Sequence, residues 1–136
     1  MLLSARILTN VADVNNFTYA DNLSFTEGDA PIVILQLIDA SRDTYADGYM
    51  PQGRRYIPAI GATLEVTLGS IDSAKRVVRL ATQPYAQDPS IWALQLFSTD
   101  SLRGLLDLGL KLVEGPKTTR GVARQALSIA PQQRAF

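Results

Sequence analysis

Three aspartates, Asp39, Asp43 and Asp47, recur every four residues in a stretch rich in Gly and Pro. A carboxylate pair working by acid–base hydrolysis of a glycosidic bond is the one catalytic set this composition leaves open. The chain has no histidine and no cysteine. That removes the usual general base, the thiol nucleophile, Ser-His-Asp and Cys-His arrangements, and most zinc and iron sites. There is no G-x-S-x-G elbow, and neither G-x-x-x-x-G-K nor G-x-G-x-x-G occurs to cradle a phosphate. Loop aspartates are ordinarily solvated turn residues. The trio also lacks the D-x-[DN]-x-[DN]-G spacing of a calcium loop. The expectation is a protein that is not an enzyme, with no cofactor and no metal site.

The chemistry that remains is recognition. Tyr45, Tyr49, Arg54, Arg55 and Tyr56 lie between Asp39 and Ala59, a connection long enough to carry function or touch a partner. Aromatic and Arg side chains are the composition of interface anchors. Two readings stand: these side chains bind a neighbour, or they fold back and cap the open end of the domain. Phe17 and Tyr19 sit in the polar segment Asn10 to Gly28, which reads equally as a strand over Phe17–Phe25 or as an extended arm. The partner-binding set is therefore Phe17, Tyr19, Tyr45, Tyr49, Arg54, Arg55 and Tyr56. In a competing reading Tyr45, Tyr49 and Tyr56 stack on sugar rings while Asp43 and Asp47 accept hydroxyl hydrogen bonds. Two Asn-x-Ser/Thr sequons, at Asn16 and Asn22, carry meaning only in a secreted chain.

These residues must be held by strands. In Leu106-Asp107-Leu108-Gly109-Leu110-Lys111-Leu112 every second residue is leucine, a period of two that puts the leucines on one face of a strand. The same period recurs in Leu64-Glu65-Val66-Thr67-Leu68 and Trp92-Ala93-Leu94-Gln95-Leu96, which makes Trp92 a core residue. Ile32-Val33-Ile34-Leu35-Gln36-Leu37-Ile38 is nearly all apolar and reads as a central strand buried on both faces. Further strands are expected at Thr63–Leu68, Arg76–Ala81, Ile91–Phe97 and about Thr119 to Ile129. Ser98 to Gly104 reads as one helical turn, with Thr99 or Asp100 as N-cap and Gly104 as its stop. Half-buried strands in series separated by Gly, Pro and Asp turns point to an antiparallel β-sandwich or barrel.

At 136 residues the chain makes one domain with a real core. Met1 to Leu8 is apolar but short, without the basic lead of a signal peptide, and reads as an edge strand. Residues 1–24 form this arm or edge strand, 25–130 the sandwich and 131–136 a tail. Removal of residues 1–16 is expected to leave the fold intact. No apolar run approaches a membrane span. Net charge is zero but segregated. Residues 1–50 carry seven acids against Arg6 and Arg42, a balance of −5, and residues 103–136 carry six cations against Asp107 and Glu114, a balance of +4. Either the two ends pair within one molecule, or they present complementary faces to adjacent copies. Without an overall basic excess, nucleic acid is not an expected partner.

Phe25-Thr26-Glu27-Gly28-Asp29, the strand Ile32–Asp39, the run Tyr56-Ile57-Pro58-Ala59-Ile60-Gly61-Ala62-Thr63-Leu64-Glu65-Val66, and Leu110-Lys111-Leu112-Val113-Glu114-Gly115 together resemble tailed-phage virion proteins. The match is to the Ig-like β-sandwich at the start of some baseplate and tail-fibre proteins, typified by the baseplate upper protein. There an x-G-D turn leads into a buried strand ending in Asp, a G-A-T-hydrophobic-x-V strand follows, and an L-x-L-x-x-G hairpin closes. The resemblance covers residues 25–130 with strand-and-turn patterns and carries no catalytic residue across. It implies an Ig-like fold and a structural role in the virion, bound to neighbouring virion proteins and to copies of itself, with no nucleic acid and no membrane. The chain departs from the pattern in its long Ser41–Ala59 loop, and no fibre shaft follows residue 130. A tail, baseplate or connector component is therefore expected, with a capsid decoration (cement) protein or a host-surface carbohydrate-binding module as alternatives.

Overall fold

The computed structural model describes residues 1–9, 19–20 (backbone only), 22–41, 54–70, 73–97, 100 and 102–131. It is mostly β, with no α-helix among the described residues. The strands are β1 (Leu3–Leu8), β2 (Tyr19–Ala20), β3 (Leu23–Thr26), β4 (Ile32–Asp39), β5 (Arg54–Arg55), β6 (Thr63–Gly69), β7 (Arg76–Ala81), β8 (Ile91–Gln95), β9 (Gly104–Glu114) and β10 (Lys117–Ala130). They form one open mixed sheet in the order β5-β4-β1-β10-β9-β6-β7, with β2 on β1, β3 on β10 and β8 on β4. The far ends of this ladder meet at one bridge. Thr82, just past β7, and Ala93 of β8 exchange two backbone bonds of 3.0 and 2.7 Å.

The leucine alternation sets the interior. On β9, Leu106, Leu108, Leu110 and Leu112 are buried, while Asp107, Gly109 and Lys111 between them are not. Across the ladder Leu112 faces Leu64, Leu110 faces Val66 and Leu108 faces Leu68. Val33, Leu35, Leu37, Trp92 and Leu94 belong to the same buried cluster. From Leu35 to Asp39 every residue of β4 is buried, as a strand covered on both faces requires.

Three expectations are corrected. The sheet is not purely antiparallel, because β10 runs parallel to β1 at Leu3↔Gly121 and to β3 from Leu127↔Leu23 onward. The N-terminal strand is no edge: β1 lies between β4 and β10, pairs with β4 over six residues, and buries Leu3 and Ile7 to 1% exposure. Each such side chain contributes about 1.5–3 kcal/mol relative to exposure. The segment to Phe25 holds two short strands, β2 and β3, rather than one. Gly104, which has φ +82°, is the first residue of β9, and the helical turn expected ahead of it falls largely outside the described residues.

The parallel contact follows from one residue. At Gly121 an added Cβ would stand 2.0 Å from the Leu3 carbonyl oxygen, so only glycine lets the two backbones approach this closely. Beyond it β10 changes partner. Register jumps between Ala123↔Leu108 and Leu127↔Leu106, leaving Arg124, Gln125 and Ala126 opposite Asp107 alone. A bulge of this kind bends its strand. Gln125 takes φ +51°, its N–H donates to Asp107 Oδ1 at 2.7 Å, and its carbonyl accepts from Asn22 Nδ2 at 2.8 Å. The bend carries β10 away from β1 and onto β3.

Candidate interaction surfaces

At one end of the sheet, the chain returns from the long loop through β5. Arg54 and Arg55 pair with Asp39 and Ile38 at the end of β4, and the Tyr56 N–H donates to the Leu37 carbonyl at 2.8 Å. The Tyr56 ring packs on the core while its hydroxyl donates to the Glu114 carboxylate, 2.8 Å from Oε1 and 2.9 Å from Oε2. Glu114 Oε2 also accepts the Ala59 N–H at 2.9 Å, so one carboxylate at the end of β9 pins Tyr56 to Ala59. Burial, and then the anion beside it, push the Tyr56 hydroxyl above its ordinary value of 10.0.

Asp39 closes the same corner. Its Oδ1 accepts from the Ser41 hydroxyl at 2.5 Å, the Ser41 N–H at 3.0 Å and the Leu2 N–H at 3.1 Å. The Ser41 hydroxyl bond is the main cause holding this carboxyl below its ordinary 3.8, helped by the backbone donors against the opposing cost of burial. Arg55 reaches Asp88 at 3.4 Å. Asp88 Oδ1 in turn accepts from the Ser90 hydroxyl at 2.6 Å and the Ser90 N–H at 3.2 Å. Arg54 is exposed and makes no ion pair among the described residues.

Of the expected partner-binding set, the structure thus brings Arg54, Arg55 and Tyr56 together on the edge of β4. Tyr19 is placed by its backbone alone, opposite Leu8. Phe17, Tyr45 and Tyr49 lie outside the described residues, as do Asp43 and Asp47 of the sugar-binding reading. Tyr56 is an anchor of the domain itself, since its hydroxyl is spent on Glu114. Sequence reasoning missed Glu114, whose one local signal is its place before the Gly115-Pro116 turn, and Asp88, which the Asp88-Pro89-Ser90 turn announces.

The other end carries a second cluster. Arg79 pairs with the buried Asp100, and its guanidinium lies 4.9 Å from the Phe97 ring centroid. The second Asp100 oxygen accepts the Phe97 N–H at 2.9 Å. Beside it Arg103 Nε meets Glu27 at 2.5 Å, an acid from the negative half of the chain paired with a cation from the positive half inside one molecule.

Between these ends lies the outer face of β7, β6, β9 and β10. Leu80, Glu65, Lys111 and Arg120 follow one another across it, and Val78, Thr67, Gly109 and Val122 form the next row. Leu80 is 71% exposed and Val78 49%. Glu65, Lys111 and Arg120 make no ion pair among the described residues. No family model matches this chain, and neither a curated protein nor a solved structure matches it.

Proposed function

We propose that this protein is a non-enzymatic structural component of a tailed-phage particle. It binds neighbouring virion proteins in multiple symmetric copies, in the tail, the baseplate or a connector. The mixed sheet is read as an Ig-like sandwich, with β1, β4 and β8 as one layer and β6, β7 and β9 as the other. The shared core cluster drawn from both groups supports that reading. The observation that carries the functional reading is apolar surface held on a tightly tied frame. Ile60 is fully exposed, Leu80 is 71% exposed and Ile32 is 61% exposed, whereas Asp39, Asp88, Asp100 and Glu114 are each committed to bonds that hold the scaffold. Val78 and Leu80 share the exposed face of β7, and contiguous apolar surface of this kind marks a place that a partner covers. The sequence pattern over residues 25–130 supplies the phage context.

The test is immunogold labelling of intact particles with antibody raised against the recombinant domain. Gold at the tail or its tip supports the proposal. Gold over the whole head moves the protein to capsid decoration. Absence of gold, together with binding in a glycan screen, replaces it with a carbohydrate-binding module. Within the proposal, reversal of charge by Arg54→Glu with Arg55→Glu lowers incorporation into particles and leaves the fold intact; unchanged incorporation removes this corner from the interface.

A further inference from the structure

We infer that the outer face of β7, β6, β9 and β10 is a two-fold interface that stacks on the same face of a second copy of this chain. The inference rests on the reading of a protein that assembles in copies, but not on the particle it assembles into. The first observation is Gly109, at the centre of the face. Its φ is ordinary for a strand, and a Cβ there would meet only Thr67, at 3.6 Å. No contact in its own chain excludes a side chain there, and a mid-strand glycine weakens a strand; such a glycine marks a neighbouring bulge or a close approach of another backbone. Beside it runs a trough of about 220 Å³ bounded by Thr67, Val122, Arg76 and Asp107.

The second observation is charge. Lys111 stands directly opposite Arg120 on one side and Glu65 on the other, which leaves this row with one cation in excess. A two-fold axis laid along the row Val78, Thr67, Gly109, Val122 turns that row onto itself. It also sets the row above against the row below. Lys111 then meets Asp107 of the other copy, whose Oδ1 accepts from Gln125 and whose Oδ2 accepts from no described residue. Glu65 lies over Gly69 of the other copy, next to its Arg76, whose bonds among the described residues all run from Nη1 to the Ser70, Ser73 and Lys75 carbonyls. Each of these two contacts occurs twice, and both bring opposite charges together.

Analytical ultracentrifugation of the full chain tests this. The wild type sediments as a dimer in the micromolar range. Gly109→Leu fills the trough with a side chain its own strand can hold, and Lys111→Glu removes a cation that makes no ion pair among the described residues; each weakens dimerisation about tenfold or more with unchanged circular dichroism. Ile32→Lys, on another exposed apolar residue, leaves the dimer intact. A monomeric wild type overturns the inference. So does a dimer that survives Gly109→Leu and Lys111→Glu or that is lost on Ile32→Lys. Either result leaves the particle assignment to the gold labelling, and absence of gold leaves the dimer untouched.

Discussion

Gly121 of the last strand lies against Leu3 of the first, so close that a methyl group on the glycine would sit 2.0 Å from the Leu3 carbonyl oxygen. The contact joins residues 118 positions apart and sets the register of β1 against β10. Replacement by alanine must push two backbones apart. Gly121→Ala is expected to lower stability by roughly 1–3 kcal/mol, the range for overpacking a tight site. Urea denaturation followed by the fluorescence of the buried Trp92 measures it; a change below a few tenths would show that the strands are free to move.

Because β1 sits inside the sheet, deletion of residues 1–8 is expected to abolish cooperative unfolding, whereas the sequence alone predicts an intact fold even on removal of residues 1–16. The milder Leu3→Ala should cost about 2–5 kcal/mol, as for other large-to-small core changes. A sharp thermal transition in the deletion variant would return β1 to the periphery.

Tyr56→Phe removes the hydroxyl that Glu114 accepts and should cost roughly 1 kcal/mol near neutral pH. The pH dependence has a definite sign. The hydroxyl ionises above 10.0 in the folded protein and near 10.0 in the unfolded chain. Its contribution is therefore complete below pH 10.0 and is lost as pH rises through the folded-state value. Stability of the wild type should fall more steeply on the alkaline side than that of Tyr56→Phe, measured by denaturation at a series of pH values. Parallel curves would exclude the linkage.

Asp39 gives the opposite limb. Its carboxyl is held below 3.8 by Ser41 and Leu2, so its contribution is present above pH 3.8 and lost as pH falls through the lower folded-state value. Asp39→Asn should flatten the acid side of the stability profile and leave the alkaline side unchanged. Identical acid limbs in the two proteins would remove Asp39 from the corner.

The strands themselves were legible where one side-chain period acted alone. Leu106 to Leu112 alternate as a half-buried strand must, and Ile32 to Ile38 read as a strand covered on both sides, which holds from Leu35 onward but not at the exposed Ile32. Local pattern does not record partner or direction. The leucine-rich opening resembles an edge strand as well as an inner one, and its place depends on a glycine near the other end of the chain. The β10 bulge was equally hidden, since Arg124, Gln125 and Ala126 continue the strand composition and Asp107, which receives them, is 18 residues away. At the candidate surface, Arg55 and Tyr56 were found by type. Their roles were fixed by Asp88 and Glu114, at 33 and 58 residues' separation, a range no spacing rule covers. The outer face was legible as polar positions between leucines, but its row order appears only once register is known.

The parallel setting of β1 and β10 also gives the domain a polarity. The start of β1 lies at the pole of Asp39, Tyr56 and Glu114, whereas the end of β10 lies at the pole of Glu27 and Arg103, where the Glu27 N–H donates to the Ala130 carbonyl. From Gly121 to Ala130 the last strand spans about 30 Å at the usual rise of a strand. Reporters placed ahead of β1 and after β10 would mark opposite poles of each copy, so a particle image bearing both would reveal which way every subunit points.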